Sequence, residues 1–188
     1  MPSASSWLML VPSSLRLPAP VNQGVRLHME TIGTKDKFAL TIGPLSGQMR
    51  QVEVWAGGKN LSPVDSSVYI PSFSHALTNA ATRLKKADLL SHEGLFGGLD
   101  VESAFDKLAT QAPGTEQAWV ALRFVDWGPT TDDFLCFLLP LNGQLHLVCS
   151  DQDSNALHEV ILEPTEIIHV IEGAINELSN SSGTSNAY

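Results

Sequence analysis

In the segment FLCFLLPLNGQLHLVCS, residues 134–150, two apolar runs flank the dipeptide Asn142-Gly143. An Asn-Gly pair between such runs is typical of a type I′ turn, which joins two antiparallel strands. The segment therefore predicts a β-hairpin with strands at Phe134–Leu141 and Gln144–Ser150.

The two cysteines of the chain, Cys136 and Cys149, lie on opposite strands of this hairpin. Counting outward from the turn pairs them in a non-hydrogen-bonded position, where side chains come closest. This register permits a disulfide. However, two cysteines without a secretion signal are more typical of reduced thiols, so we expect two free thiols that face each other. Neither cysteine adjoins a histidine or another basic group that would activate it as a nucleophile.

Strands are predicted wherever apolar residues alternate or form short runs between turn residues. Gly43-Pro44 ends the second of these strands, and residues 44–47 predict a turn before the third. The predicted strands are a weak one around residues 25–29, then Phe38–Ile42, Gln51–Ala56, Ala118–Asp126 and Leu157–Leu162. In the fourth of them, Ala118, Val120, Leu122 and Phe124 would form the face toward the core.

Helices are predicted where apolar residues recur at intervals of three or four. Pro71 suits the first turn of a helix that ends near Lys86, and Asp100 is a favoured N-cap for a second one that reaches about Thr110. A third helix, Pro164–Leu178, carries an aliphatic stripe along one face. The glycine-rich stretch Leu90–Leu99 predicts a loop.

Strands and helices come in runs along the chain instead of alternating, which favours the α+β class. We expect a mostly antiparallel β-sheet with two to three helices packed on it, in a single domain, since the chain has 188 residues. Residues 25–178 would form this domain. Residues 1–24 would be a poorly structured leader, with Met29 as a candidate start, and residues 179–188 a disordered polar tail.

The chain has 20 acidic and 11 basic residues, for a net charge of −9. This balance argues against binding to nucleic acid or to a membrane surface, which needs clustered lysine and arginine. No apolar stretch is long enough to span a membrane. We therefore expect a cytoplasmic protein whose charge either keeps it in solution or steers it toward a basic protein partner.

No motif in the sequence points to catalysis, a metal or another cofactor. The six histidines do not pair at metal-binding spacing. Asp151 could begin a calcium loop, but Ala156 and Leu162 stand where that loop needs glycine and glutamate. No nucleophile elbow or phosphate-binding loop is present either.

An apolar second face of the predicted sheet is the strongest signal of a binding surface. On the predicted strand Ala118–Asp126 it would carry Trp119 and Arg123, leading to Trp127. Such residues are typical of protein-binding anchors if they are exposed, whereas helices that cover both faces of the sheet would bury them. With Trp55, these are the candidate anchors, and the candidate rim carboxylates are Asp65, Asp132, Asp133, Asp151 and Asp153.

The stretches VWAGGKNLSPVD, residues 54–65, and VYIPSF, residues 68–73, resemble a segment of bacterial immunity proteins from polymorphic toxin systems such as contact-dependent growth inhibition. The resemblance covers about 20 of the 188 residues. It implies an acidic cytosolic protein that binds and neutralises one toxin domain and has no catalytic activity of its own. It assigns no active-site residues. The alternatives are a small enzyme of unknown reaction and a general adaptor or structural protein.

Overall fold

The computed structural model of the chain describes residues 29–86, 88–152, 154 and 156–180. The strands are β1 (Glu30–Gly33), β2 (Phe38–Ser46), β3 (Met49–Ala56), β4 (Lys59–Asn60), β5 (Ser67–Tyr69), β6 (Arg123–Phe124), β7 (Phe134–Leu141), β8 (Gln144–Asp151) and β9 (Leu157–Leu162). The α-helices are α1 (Ile70–Lys86), α2 (Val101–Ala109), α3 (Glu116–Leu122) and α4 (Pro164–Asn180), and 3-10 helices span Leu89–Leu95 and Pro129–Thr131.

The first sheet is antiparallel and has the strand order β1-β2-β3-β4, with β5 also paired to β3. Leu40 lies between Ile32 and Val54, and this face of the sheet is buried. Strand β2 does not end at Gly43-Pro44 as predicted, because a bulge between Ile42 and Leu45 lets it continue to Ser46. A bulge accommodates such residues without ending the ladder.

The second sheet is also antiparallel, with the order β6-β7-β8-β9, and it contains the predicted hairpin. Asn142 and Gly143 have φ angles of 52° and 72°, as a type I′ turn requires. Cys136 faces Cys149, which confirms the predicted register. Their Cα atoms are 4.1 Å apart and the structure joins the two side chains by a disulfide, so the expectation of two free thiols is not what the structure shows.

The three predicted helices are present. Asp100 caps α2, since its carboxylate accepts a hydrogen bond from the Ser103 backbone N–H at 2.8 Å. Helix α4 packs on α1 and on strands β1 and β2 of the first sheet. Four of the six residues of the predicted apolar stripe are buried, namely Ile167, Ile171, Ala174 and Leu178, whereas Ile168 and Ile175 are half-buried. Val170, which was not part of the predicted stripe, is buried as well.

The predicted strand Ala118–Asp126 is wrong. Residues 116–122 form α3, and only Arg123 and Phe124 pair with β7. In a helix Ala118 and Leu122 share one face, so both are buried, whereas Val120 points outward and is 63 % exposed. Likewise, the predicted loop Leu90–Leu99 contains most of the 3-10 helix Leu89–Leu95.

The two sheets share one apolar core. The Phe38 ring of β2 lies 5.8 Å from the Phe124 ring of β6 and 6.2 Å from that of Trp127. On the other face of the second sheet, Phe105 of α2 and Trp119 of α3 contact Phe137 edge to face, at 5.5 and 6.3 Å. One face of the hairpin is therefore covered by the first sheet and the other by α2 and α3. This is the second of the two arrangements considered above, in which the second sheet face is not exposed.

The architecture confirms the α+β class, a mostly antiparallel β structure and a single domain. It differs from the prediction in having two sheets, and in having four α-helices among the described residues. The additional helix is α3, which replaces a predicted strand. The predicted leader, residues 1–24, lies outside the described residues, as do residues 181–188 of the predicted tail, while Ser179 and Asn180 belong to α4.

Candidate binding surfaces

Trp127 is not a surface anchor, contrary to the prediction. It is 6 % exposed and lies edge to face against Phe38, Phe73 and Phe124. The sequence places it in a loop, but that loop returns over the junction between the two sheets and inserts the indole into their shared core.

Trp119 and Arg123 remain at the surface and lie together. The Arg123 guanidinium stacks 4.8 Å from the Trp119 ring, and its Nε lies 3.3 Å from the Asp126 carboxylate. Both side chains are half-buried, and the exposed Val120 lies between them in the sequence. This pair is already satisfied within the chain, so it offers a partly apolar contact and no free charge.

Trp55 and Asp65 belong to the first sheet and its loops, not to the surface that carries Trp119. The half-buried Trp55 lies under the Lys35 ammonium at 3.9 Å, and its Nε1 donates to Glu53 at 3.1 Å. Asp65 is exposed, and its Oδ1 accepts a hydrogen bond from the Ser67 N–H at 2.8 Å, which shapes the turn before β5.

The remaining predicted carboxylates cluster near the ends of β7 and β8. Asp132 and Asp133 are exposed, and their backbone carbonyls accept hydrogen bonds from Gln152, which holds them beside that residue. Asp151 is half-buried and lies 3.6 Å from the Lys59 ammonium. Asp153 lies outside the described residues.

Charge is divided unevenly along the chain. Residues 88–166, which hold the second sheet, α2 and α3, contain 14 acidic residues and only two basic ones, Lys107 and Arg123. Residues 29–86 instead contain four acidic and seven basic residues. Lys107 donates to the Leu95 carbonyl at 2.8 Å, so both cations of the acidic segment are engaged within the chain.

An open cleft of about 650 Å³ lies within this acidic segment, and we call it the acidic cleft. Helix α2 forms one wall, and the ends of the strands β7, β8 and β9 form the floor. Its lining is Glu102, Phe105, Asp106, Ala109, Leu135, Ser150, Gln152 and Leu157. Half of the lining residues are apolar, and the two carboxylates stand one helical turn apart on the same face of α2.

Sequence reasoning did not single out the lining of this cleft. Two signals were available in the sequence. Glu102 and Asp106 are spaced i, i+4 on a predicted helix, and the acidic residues are concentrated after residue 88. The apolar part of the lining could not have been found, because it forms only when α2 crosses the strand ends.

A second cavity, of about 380 Å³, lies between α1 and residues 126–128. The half-buried Arg83 lines it and donates to the backbone carbonyls of Val120 and Arg123, which ties α1 to the end of α3. Burial lowers the pKa of the Arg83 guanidinium, and the nearby Asp126 carboxylate partly offsets that shift. Arginine still keeps its charge at physiological pH, so we interpret this residue as a structural link.

No group of three His, Cys, Asp or Glu side chains within the described ranges could hold a metal ion. In the same residues, no helix is both long and apolar enough to cross a membrane. Comparison with protein-family models, with curated proteins and with solved structures finds no match to this chain.

Proposed function

We propose that this protein binds and neutralises a basic toxin domain, as an immunity protein does. The observation that carries the proposal is the concentration of negative charge on residues 88–166, where 14 acidic residues face only two basic ones. An excess of negative charge in one segment of the chain, within a net charge of −9, accelerates encounter with a basic partner.

The cleft and its surroundings support binding more than turnover. Two carboxylates of the acidic segment, Glu102 and Asp106, stand beside apolar side chains in the cleft, and its lining holds no nucleophile paired with a general base. An apolar centre with a charged rim is the usual anatomy of a protein-binding surface. The resemblance of residues 54–73 to immunity proteins points in the same direction.

A growth-protection assay tests the proposal. The toxin domain encoded beside the gene of this protein would be expressed in cells with and without the full chain. We expect growth to be restored only when the chain is present. An exchange of the toxin for one from an unrelated system should abolish protection, because immunity depends on a specific interface. Unrestored growth at equal expression of both proteins would contradict the proposed function.

A further inference from the structure

We propose that the acidic cleft is a pocket for an arginine side chain of the partner, an inference that rests on the proposed function and names the group that the partner inserts. The lining combines apolar side chains with two carboxylates. An arginine side chain matches both, since its methylene groups pack on apolar surface while its guanidinium binds carboxylates.

The apolar part of the lining of the acidic cleft provides the surface for the stem. Phe105 is buried in the α2 wall, while Ala109 of that wall and Leu135 and Leu157 of the floor are half-buried and line the cleft. Apolar side chains that stay partly exposed inside a concave surface gain by contact with a partner's methylene groups.

Glu102 and Asp106 provide the charge. They stand at i and i+4 on α2, where two like charges destabilise a helix. Neither carboxylate lies in an ion pair with any residue that the structure describes, and the adjacent Lys107 is directed to the Leu95 carbonyl. Glu102 lies in the first turn of α2, where the helix dipole favours a carboxylate, and a cation of the partner would offset the remaining repulsion between Glu102 and Asp106.

Ser150 provides a third, independent indication. Only 8 % of this residue is exposed, and it lies in the floor of the cleft between Leu135 and Leu157. Its hydroxyl has no hydrogen bond to the described residues, and it is not among their buried unsatisfied atoms, so it opens to the cleft. There it is available as an acceptor for a donor that reaches the floor.

Arginine fits this set of acceptors better than lysine does. Two carboxylates and a hydroxyl around one concave space suit the five N–H donors of a planar guanidinium, whereas an ammonium offers three donors from one point. Arginine is also more weakly hydrated, so the transfer of its charge to a half-apolar cleft costs less.

The test uses a hexa-arginine peptide as the probe and the full chain as the receptor, at about 0.15 M salt. The double variant Glu102→Gln, Asp106→Asn removes two charges from the cleft. The control variant Glu30→Gln, Asp36→Asn removes two exposed charges from the first sheet and its loops, so both variants have the same net charge. We expect at least about tenfold weaker binding for the cleft variant and less than about twofold for the control.

Two further variants separate binding from folding. Asp106→Lys places a lysine four residues after Glu102, which favours the helix, so this variant should melt at or above the wild-type temperature and still lose binding. Ser150→Ala should weaken binding without a change in net charge. Hexa-lysine should bind the wild type more weakly than hexa-arginine does.

The arginine pocket would be overturned if the cleft and control variants lost affinity for hexa-arginine equally, or if hexa-arginine did not bind the wild type. Either result can coexist with protection from the toxin, which would leave the proposed function standing with a different interface. A different result is that only the cleft variant loses hexa-arginine binding while the wild-type chain does not protect cells from the toxin. In that case the arginine pocket exists, but the toxin is not its partner.

Discussion

At the scale of single residues, Trp127 links the two sheets, because its indole contacts rings from β2, α1 and β6. We expect Trp127→Ala to destabilise the fold by about 3–5 kcal/mol, which is typical for the truncation of a buried large aromatic residue. Urea unfolding monitored by circular dichroism would measure the loss. Val120→Ala is the control, since that residue is 63 % exposed and should change stability by less than about 0.5 kcal/mol.

The contrast between these two residues shows what local sequence cannot reveal. An alternating pattern placed Val120 toward the core and suggested Trp127 as a surface anchor. Their actual exposure depends on α3 being a helix and on how residues 125–128 return over the core, both of which are set by contacts between distant segments. Asp100, whose role is purely local, was predicted correctly as an N-cap.

Asp100 also makes stability depend on pH. The hydrogen bond from the Ser103 N–H lowers the pKa of its carboxyl in the folded state. The unfolded chain therefore takes up the proton first, and the stabilisation is complete above the unfolded pKa and is lost as the pH falls through the folded one. Glu166, whose pKa is lowered by Lys37 at 2.8 Å, acts in the same direction.

We expect Asp100→Asn to lose less stability than the wild type when the pH falls below about 4, because asparagine caps a helix without titrating. Thermal melts at pH 7 and pH 3 would measure the two decreases. Equal decreases for the wild type and the variant would show that the cap does not contribute to acid sensitivity.

At the scale of elements, α4 approaches the first sheet closely where it passes β1. A Cβ atom at Gly173 would lie 2.8 Å from Cγ2 of Ile32, closer than carbon atoms tolerate. Ile32 is β-branched and has little rotamer freedom with which to move away. The close packing of α4 on this sheet therefore depends on a glycine inside a helix.

We expect Gly173→Ala to destabilise the protein. Overpacking costs about 1–3 kcal/mol, and alanine returns only about 1 kcal/mol of helix propensity. Chemical denaturation of this variant, of Ile32→Ala and of the double variant would form a thermodynamic cycle. In the Ile32→Ala background the alanine should be neutral or stabilising. A stabilising effect of Gly173→Ala in the wild-type background would mean that α4 lies farther from β1 than the structure shows.

The elements themselves could be predicted where their signals are long or specific. The Asn142-Gly143 turn determined the hairpin and its register to the residue, and the helices α1, α2 and α4 have clear apolar periodicity. Helix α3 was wrongly predicted as a strand, because its seven residues are too few to distinguish a period of 3.6 from a period of 2. Thr115 and Glu116, which resemble the start of a helix, were the signal that could have corrected it.

At the scale of the whole molecule, the division of charge is the feature that supports a binding function. The net charge of −9 was evident from composition, and it gave the expectation of a basic partner. The location of the cleft was not evident, because α2, which carries Glu102 and Asp106, meets β8, which carries Ser150, only in the folded chain. Of the predicted rim residues, Asp132 and Asp133 do lie next to Gln152 at this cleft.

The proposed binding function is best tested by titration calorimetry of the full chain against a toxin domain encoded beside its gene. We expect binding of one toxin domain per chain. A rise in salt from about 0.05 to 0.5 M should weaken this binding by slowing association, because electrostatic steering is screened. The control variant Glu30→Gln, Asp36→Asn should bind like the wild type. An absence of heat and of complex formation at micromolar concentrations would contradict the claim that this protein acts by binding that toxin.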